Sequence, residues 1–229
     1  MNHTDNQRGG IYGTSLLILF VVAFAFYGCK DVVSHFTSKE RELITENKEL
    51  KKAISNLTEE SQIGYAKVIS QEKRDGRLFT TLRFVETDRN DPSKKVLERE
   101  YTIEGNIVYF DAIIIKFFNQ MIMDGKEKSL YLWRKVYGER MSPESGFSIE
   151  TEGKEPERYA DIFSKLSIDT RDQFWTQIWN LADDPNYLRE NGIQAIFGSV
   201  VYKKLSPNVI YIFKIDNKGY FYPETVPEF

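Results

Sequence analysis

The spacing of apolar side chains changes period near residue 62, and this change constrains the fold of the chain more than any other sequence feature. Before it, Phe36, Leu43, Leu50 and Leu57 stand seven residues apart, with Val33, Glu40, Asn47 and Ile54 at the companion positions. After it, from Ile63 onward, apolar and polar residues alternate. Seven-residue spacing writes a stripe down one face of a helix, whereas alternation writes one face of a strand. The chain therefore reads as a helical spacer followed by a β-rich domain.

In the spacer, leucine at d positions with asparagine at one a position favours a two-stranded coil of fixed register. The interface expected is Val33, Phe36, Leu43, Asn47, Leu50, Ile54 and Leu57. Glu40 at a second a position weakens the seam. The partner is a second copy or another membrane-anchored coiled-coil protein; the competing arrangement is a lone amphipathic helix folded onto the domain. His35 lies in this spacer with no second ligand at the spacing of a helical metal site.

Ile11 to Cys29 is a run of nineteen residues without a formal charge. At helical rise it spans about 28 Å, enough to cross a hydrocarbon core. Tyr12 and Tyr27 sit near its ends, where aromatic rings favour the interface, and Lys30-Asp31 stops it. A single-pass anchor in the inner or cytoplasmic membrane follows, with the main domain extracytoplasmic, as in a signal anchor. Its alternative is a lipoprotein signal: Leu16 to Phe26 has the length of a secretory apolar core, and Gly28-Cys29 resembles the end of a lipobox. Cys29 is then the lipidation site, although Phe26 and Tyr27 depart from that pattern. The expected organisation is a tail over 1–10, an anchor over 11–29, a spacer over 30–61, a domain over 62–223 and a loose tail over 224–229.

Within the domain, IGYAKVIS and RLFTTLRFVET read as strands joined at Arg74-Asp75-Gly76. VLEREYTIE and NIVYFDAIIIKF flank Gly105-Asn106, a hairpin signal. KSLYLWRKVYG is a further strand. A loop rich in Pro and Gly follows, then a short helix over 159–166. A stronger helix capped at Asp169-Thr170 comes next, with Phe174, Trp175, Ile178, Trp179 and Ala182 on one face. Asn191-Gly192 ends the helical region, and two strands meeting at Ser206-Pro207-Asn208 follow. The fold class is α+β with β predominating: an antiparallel twisted sheet or partial barrel, two or three helices inserted before the last strands.

Both histidines, His3 and His35, and the single cysteine precede the domain. Serine–histidine triads, cysteine–histidine pairs and ordinary zinc sites lose their usual residues there. Phosphate-binding loops and dinucleotide fingerprints are missing from the sequence, and a net charge of −3 with both signs interspersed gives no nucleic-acid footprint. Carboxylates survive: Glu98 and Glu100, Asp111, Glu150 and Glu152, and Asp183-Asp184 are candidates for an acid–base pair. Asp88, Asn90 and Asp91, and likewise Asp183, Asp184 and Asn186, form oxygen-rich loops that fit turns better than calcium sites. On strand spacing, Tyr131, Trp133 and Tyr137 form the candidate face for a ligand or partner, with Leu130, Leu132 and Val136 turned to the core.

The expected function is a membrane-anchored, non-enzymatic scaffold or assembly subunit of a cell-envelope complex, with no cofactor, metal or nucleic acid. In layout alone it resembles single-pass subunits of division, shape-determining or secretion machines. The alternatives are a tethered module binding a glycan or peptide, and a carboxylate hydrolase.

Overall fold

The computed structural model describes residues 39–160 and 168–228. The anchor over 11–29, Cys29, Val33 and Phe36 lie outside these residues. No helix among the described residues is long and apolar enough to cross a membrane. The chain divides into two compact units, Met1–Lys52 and Ala53–Phe229.

Residues 39–58 form one helix, α1. Its Leu43, Ile44, Leu50 and Ile54 are all more than half exposed. Leu57 differs: it packs with the second hydrophobic core of the domain. The last turn of α1 is thus built into the unit that begins at Ala53. The Asn56 side chain donates to Met123 O over 2.8 Å, and Asn56 O accepts from the Asn217 amide over 2.8 Å.

The domain is α+β and rich in β structure, with two antiparallel sheets. One sheet has the order β3-β2-β1-β8-β9, built from β1 (Glu60–Arg74), β2 (Arg77–Thr87), β3 (Lys95–Glu104), β8 (Val209–Asp216) and β9 (Phe221–Pro227). The other has the order β6-β5-β4-β7, built from β4 (Ile107–Phe117), β5 (Leu130–Gly138), β6 (Phe147–Ser148) and β7 (Ile193–Lys204). The β1–β2 hairpin is as expected, with Asp75 and Gly76 both at positive φ in its tight turn.

One other short connection, expected to close a hairpin, does not. β3 pairs with β2 while β4 pairs with β5 and β7, so Gly105-Asn106 carries the chain from one sheet to the other. Gly105, at φ 94°, donates its N–H to Leu78 O over 2.7 Å. The Ser206-Pro207-Asn208 link likewise joins β7 in one sheet to β8 in the other. The physical reason is layer chemistry. Strands of the five-stranded sheet present a solvated face, where Arg83 reaches Glu98 and Glu100, and Thr81 bonds Thr102. β4 reads IVYFDAIIIKF and is buried on both sides, so it belongs in a middle layer.

One face of the four-stranded sheet meets the five-stranded sheet through a core that includes Phe84, Phe110, Trp133 and Phe213. Its other face is covered by α3 (Ile168–Trp179), whose Trp175 and Ile178 meet Ile113, Ile115 and Leu132. Asp169 and Thr170 fall in the first described turn of α3, and the residues before Ile168 lie outside the described ones. Phe174 and Trp179 are buried as expected, and Ala182 is half-buried. The short helix expected over 159–166 lies, beyond residue 160, outside the described residues; Glu157–Tyr159 forms a single tight turn. Two further short helices stand among the described residues: α2 (Asn119–Met123) and α4 (Pro185–Glu190). Gly192, at φ 67°, follows α4 and closes the helical region. The C-terminal segment is paired rather than loose through Pro227, since β9 runs antiparallel to β8 along its whole length.

Candidate functional site

The sequence places a glutamate on the inner face of a strand. Leu82, Phe84 and Glu86 alternate along β2, and all three are buried, with Glu86 only 2% exposed. A buried carboxylate needs a cation or several donors. Arg158 supplies the cation from the loop after β6: its Nη1 lies 3.0 Å from Glu86 Oε1 and also bonds Glu150 Oε1. Nη2 donates to Tyr131 O over 2.5 Å. The guanidinium lies over the rings of Tyr131, 4.4 Å from the centroid, and Tyr159, 4.6 Å away. Tyr131 Oη donates to Glu86 over 3.1 Å. Tyr159 Oη donates to Tyr131 O and accepts from Tyr131 N, each at 3.0 Å, and its ring stacks on Trp175 at 5.6 Å. β2, β5, the 149–159 loop and α3 are thereby tied to one charge.

Burial sets the electrostatics. It pushes the Glu150 carboxyl up to about 7 against the pull of Arg158, and raises Glu86 for the same reason. The Tyr131 phenol is driven well above its ordinary value, again by burial. For Arg158, burial works against the charge, but Tyr159, Glu150, Tyr131 and Glu86 around it hold the guanidinium protonated. Near neutral pH the cluster holds one cation and two carboxyls, of which Glu150 is partly protonated.

This cluster contains the two converging acids that a carboxylate hydrolase needs, beside a cleft of about 290 Å³ lined by Glu86, Glu150 and Arg158. One nitrogen of Arg158, however, pairs with both carboxylates and joins them. The geometry suits a charge clasp.

A second guanidinium lies nearby. Arg89, in the turn after β2, donates from Nε to Ser61 Oγ over 3.1 Å, from Nη2 to Asn217 Oδ1 over 2.8 Å, and from Nη1 to Ser129 O. Ser129 Oγ in turn donates to Asn217 O over 2.8 Å. Arg89 and Arg158 both line a cavity of about 630 Å³.

The remaining expected residues are dispersed. Glu98 and Glu100 are spent on Arg83 at the surface, and Asp111 accepts two bonds from Arg134, at 3.0 and 2.6 Å. Glu152 is exposed. Asp88 accepts from the backbone of Asn90 and Asp91, and Asp184 accepts from Asn186 N at the start of α4, so both oxygen-rich loops use their acids to build turns. Among the described residues no three His, Cys, Asp or Glu side chains are grouped to hold a metal ion.

The candidate face of Tyr131, Trp133 and Tyr137 is overturned: the three are 1%, 0% and 9% exposed. Tyr131 and Trp133 face the five-stranded sheet and belong to its core, while Leu130 and Leu132 on the other side meet the helical layer. The spacing also fails along the strand. Asp111 pairs with Lys135 and Ala112 with Trp133, so Arg134 is the extra residue of a bulge. Beyond it Val136 points into the core, and Tyr137 stacks on Tyr109, 5.1 Å away on the outer face.

The chain matches no known protein family, no curated protein and no solved structure.

Proposed function

We propose that this chain is a membrane-tethered, non-enzymatic assembly subunit that pairs with a second copy through α1 and carries its β-rich domain into a cell-envelope complex. The observation that carries this reading is the exposure of Leu43 at 56%, Leu50 at 54% and Ile54 at 51%, at successive d, d and a positions of one helix. Apolar side chains repeated at such spacing gain from burial against a partner helix. Asn47, between the leucines at an a position, favours a single register. The uncharged run over 11–29 confines copies to a membrane, which raises their local concentration and strengthens weak pairing.

Disulfide trapping of the full chain in native membranes tests the reading. In a Cys29→Ser background, Leu43→Cys or Leu50→Cys is expected to cross-link into a dimer under mild oxidation. Lys52→Cys, on the outer face of the same helix, should cross-link poorly. Adding Leu43→Ser to the Leu50→Cys chain should abolish the dimer. Equal cross-linking at 50 and 52, or none at either d position, would overturn the proposal.

A further inference from the structure

We propose that the cavity beside Arg89 binds a small amphipathic carboxylate, with the carboxylate on the Arg89 guanidinium and an apolar or aromatic body against Phe117, Leu130, Tyr159 and Phe174. This goes beyond pairing through α1 and does not depend on it. At about 630 Å³ the cavity is of ordinary size for a small-molecule site.

Charge accounting around its wall singles out Arg89. Arg158 is neutralised by Glu86 and Glu150, Lys126 by Asp124 at 2.9 Å, and Lys128 by Glu59 at 2.5 Å. Arg89 bonds three neutral oxygens, and among the described residues no carboxylate forms an ion pair with it. Burial accordingly works against its charge and lowers its proton affinity. Three of its five N–H groups are used, which leaves two to meet an anion.

The support behind Arg89 is also built. Ser129 and Asn217 are 0% and 1% exposed, Ser61 is 7% exposed, and the first two bond each other. They come from three separate parts of the domain and fix the guanidinium plane before any ligand arrives, so little ordering cost remains for binding. The acids in the wall select the anion. Asp88 and Glu127 also line the cavity and oppose a doubly charged group such as phosphate more strongly than a singly charged carboxylate, which the two remaining N–H groups of Arg89 can meet. Phe117, Leu130, Tyr159 and Phe174 give the lining its apolar part.

A carboxylate of this kind can be a free organic acid or the C-terminal residue of a peptide. Ligand-observed NMR on the full chain in lipid nanodiscs separates them, using phenylacetate and N-acetylglycyl-phenylalanine, each beside its neutral amide. The expected result is saturable binding of at least one acid, with its amide weaker by about tenfold or more. Phenylacetate alone identifies a free acid, and the peptide alone identifies a chain terminus. Arg89→Lys, which keeps the charge and loses the fork, should weaken binding, and Arg89→Gln should abolish it. A diazirine derivative of phenylacetate on the unaltered chain gives a reading free of folding effects: cross-links within 117–131 or at 158–159 support the site. Acid and amide binding equally, no saturable binding of either acid, or cross-links confined elsewhere would overturn the proposal.

Discussion

Arg158 Nη1 stands 3.0 Å from Glu86 Oε1, inside a domain where that glutamate is 2% exposed, so a loop cation neutralises a strand carboxylate 72 positions away. The same nitrogen bonds Glu150, and the guanidinium is held between two tyrosine rings. Removing one partner of a buried pair leaves the other charge stranded, which costs far more than the pair contributes. Arg158→Met is therefore expected to destabilise the domain by roughly 3–5 kcal/mol. Trp133, Trp175 and Trp179 are all buried, so tryptophan emission during urea unfolding reports the loss. Adding Glu86→Gln and Glu150→Gln should restore part of the stability. An Arg158→Met chain as stable as the parent would show that the cluster holds nothing together.

Glu150 gives the domain a pH dependence of definite sign. Its folded value of about 7 lies above the unfolded 4.5, so between these values the folded state keeps a proton that the unfolded state has released. The stabilisation is fully present below the unfolded value and is lost as pH rises through the folded one, by roughly 3 kcal/mol across the whole window. Glu86 is shifted in the same direction and adds to the slope. Unfolding free energies measured from pH 5 to 8 should fall with pH in the parent and fall less in Glu150→Gln. A parent slope of the opposite sign would mean that the carboxyl is ionised throughout.

Part of this site was legible in advance. Period two through Leu82 and Phe84 puts Glu86 on the core face, and a core glutamate demands a cation. Glu150 stood among the candidate acids. Nothing local marks Arg158, because a loop arginine acquires its role from partners brought up by tertiary packing. Arg89 is masked by DRNDPSKK, which reads as a turn and is one. The strand positions were also readable, but their pairing was not. Gly105-Asn106 satisfies a local hairpin rule, while the burial of β4 on both faces overrides it. The contrast between VLEREYTIE, polar on one side, and IVYFDAIIIKF, apolar on both, was the signal that the two strands occupy different layers. For Tyr131 and Trp133, a strand with two covered faces offers no alternation by which an outer side could be recognised.

Two glycines should answer oppositely to the same substitution. A Cβ at Gly138, the last residue of β5, would lie 2.8 Å from Glu104 O and 3.0 Å from Ile103 Cβ, where β3 crosses it. Backbone there cannot yield easily, so Gly138→Ala is expected to cost roughly 1–3 kcal/mol. At Gly198 in β7 an added Cβ meets nothing within 4 Å. Gly198→Ala should then stabilise by about 0.5 kcal/mol by restricting the unfolded chain. Thermal melts of the two variants against the parent decide the matter; a neutral Gly138→Ala would mean the two sheets do not approach so closely there.

The last strand makes a claim about the C-terminus that composition alone does not suggest, since PETVPEF looks like a tail. Beyond Pro223, β9 still pairs Glu224 with Ile212, Thr225 with Tyr211, Val226 with Ile210 and Pro227 with Val209. Lys67 adds an ion pair to Glu228 at 2.5 Å, and Lys214 one to Glu224. These pairs are partly exposed and contribute little themselves. The ladder matters more, because β9 covers the outer edge of β8 and stopping the chain at Pro223 bares much of that edge. Proline suits such an edge strand, where a missing N–H faces no further partner. Ending the chain after Pro223 is expected to destabilise the domain by roughly 2 kcal/mol and to speed amide exchange along Val209–Ile212. Unchanged melting and unchanged exchange in β8 would restore the reading of 224–229 as a loose tail.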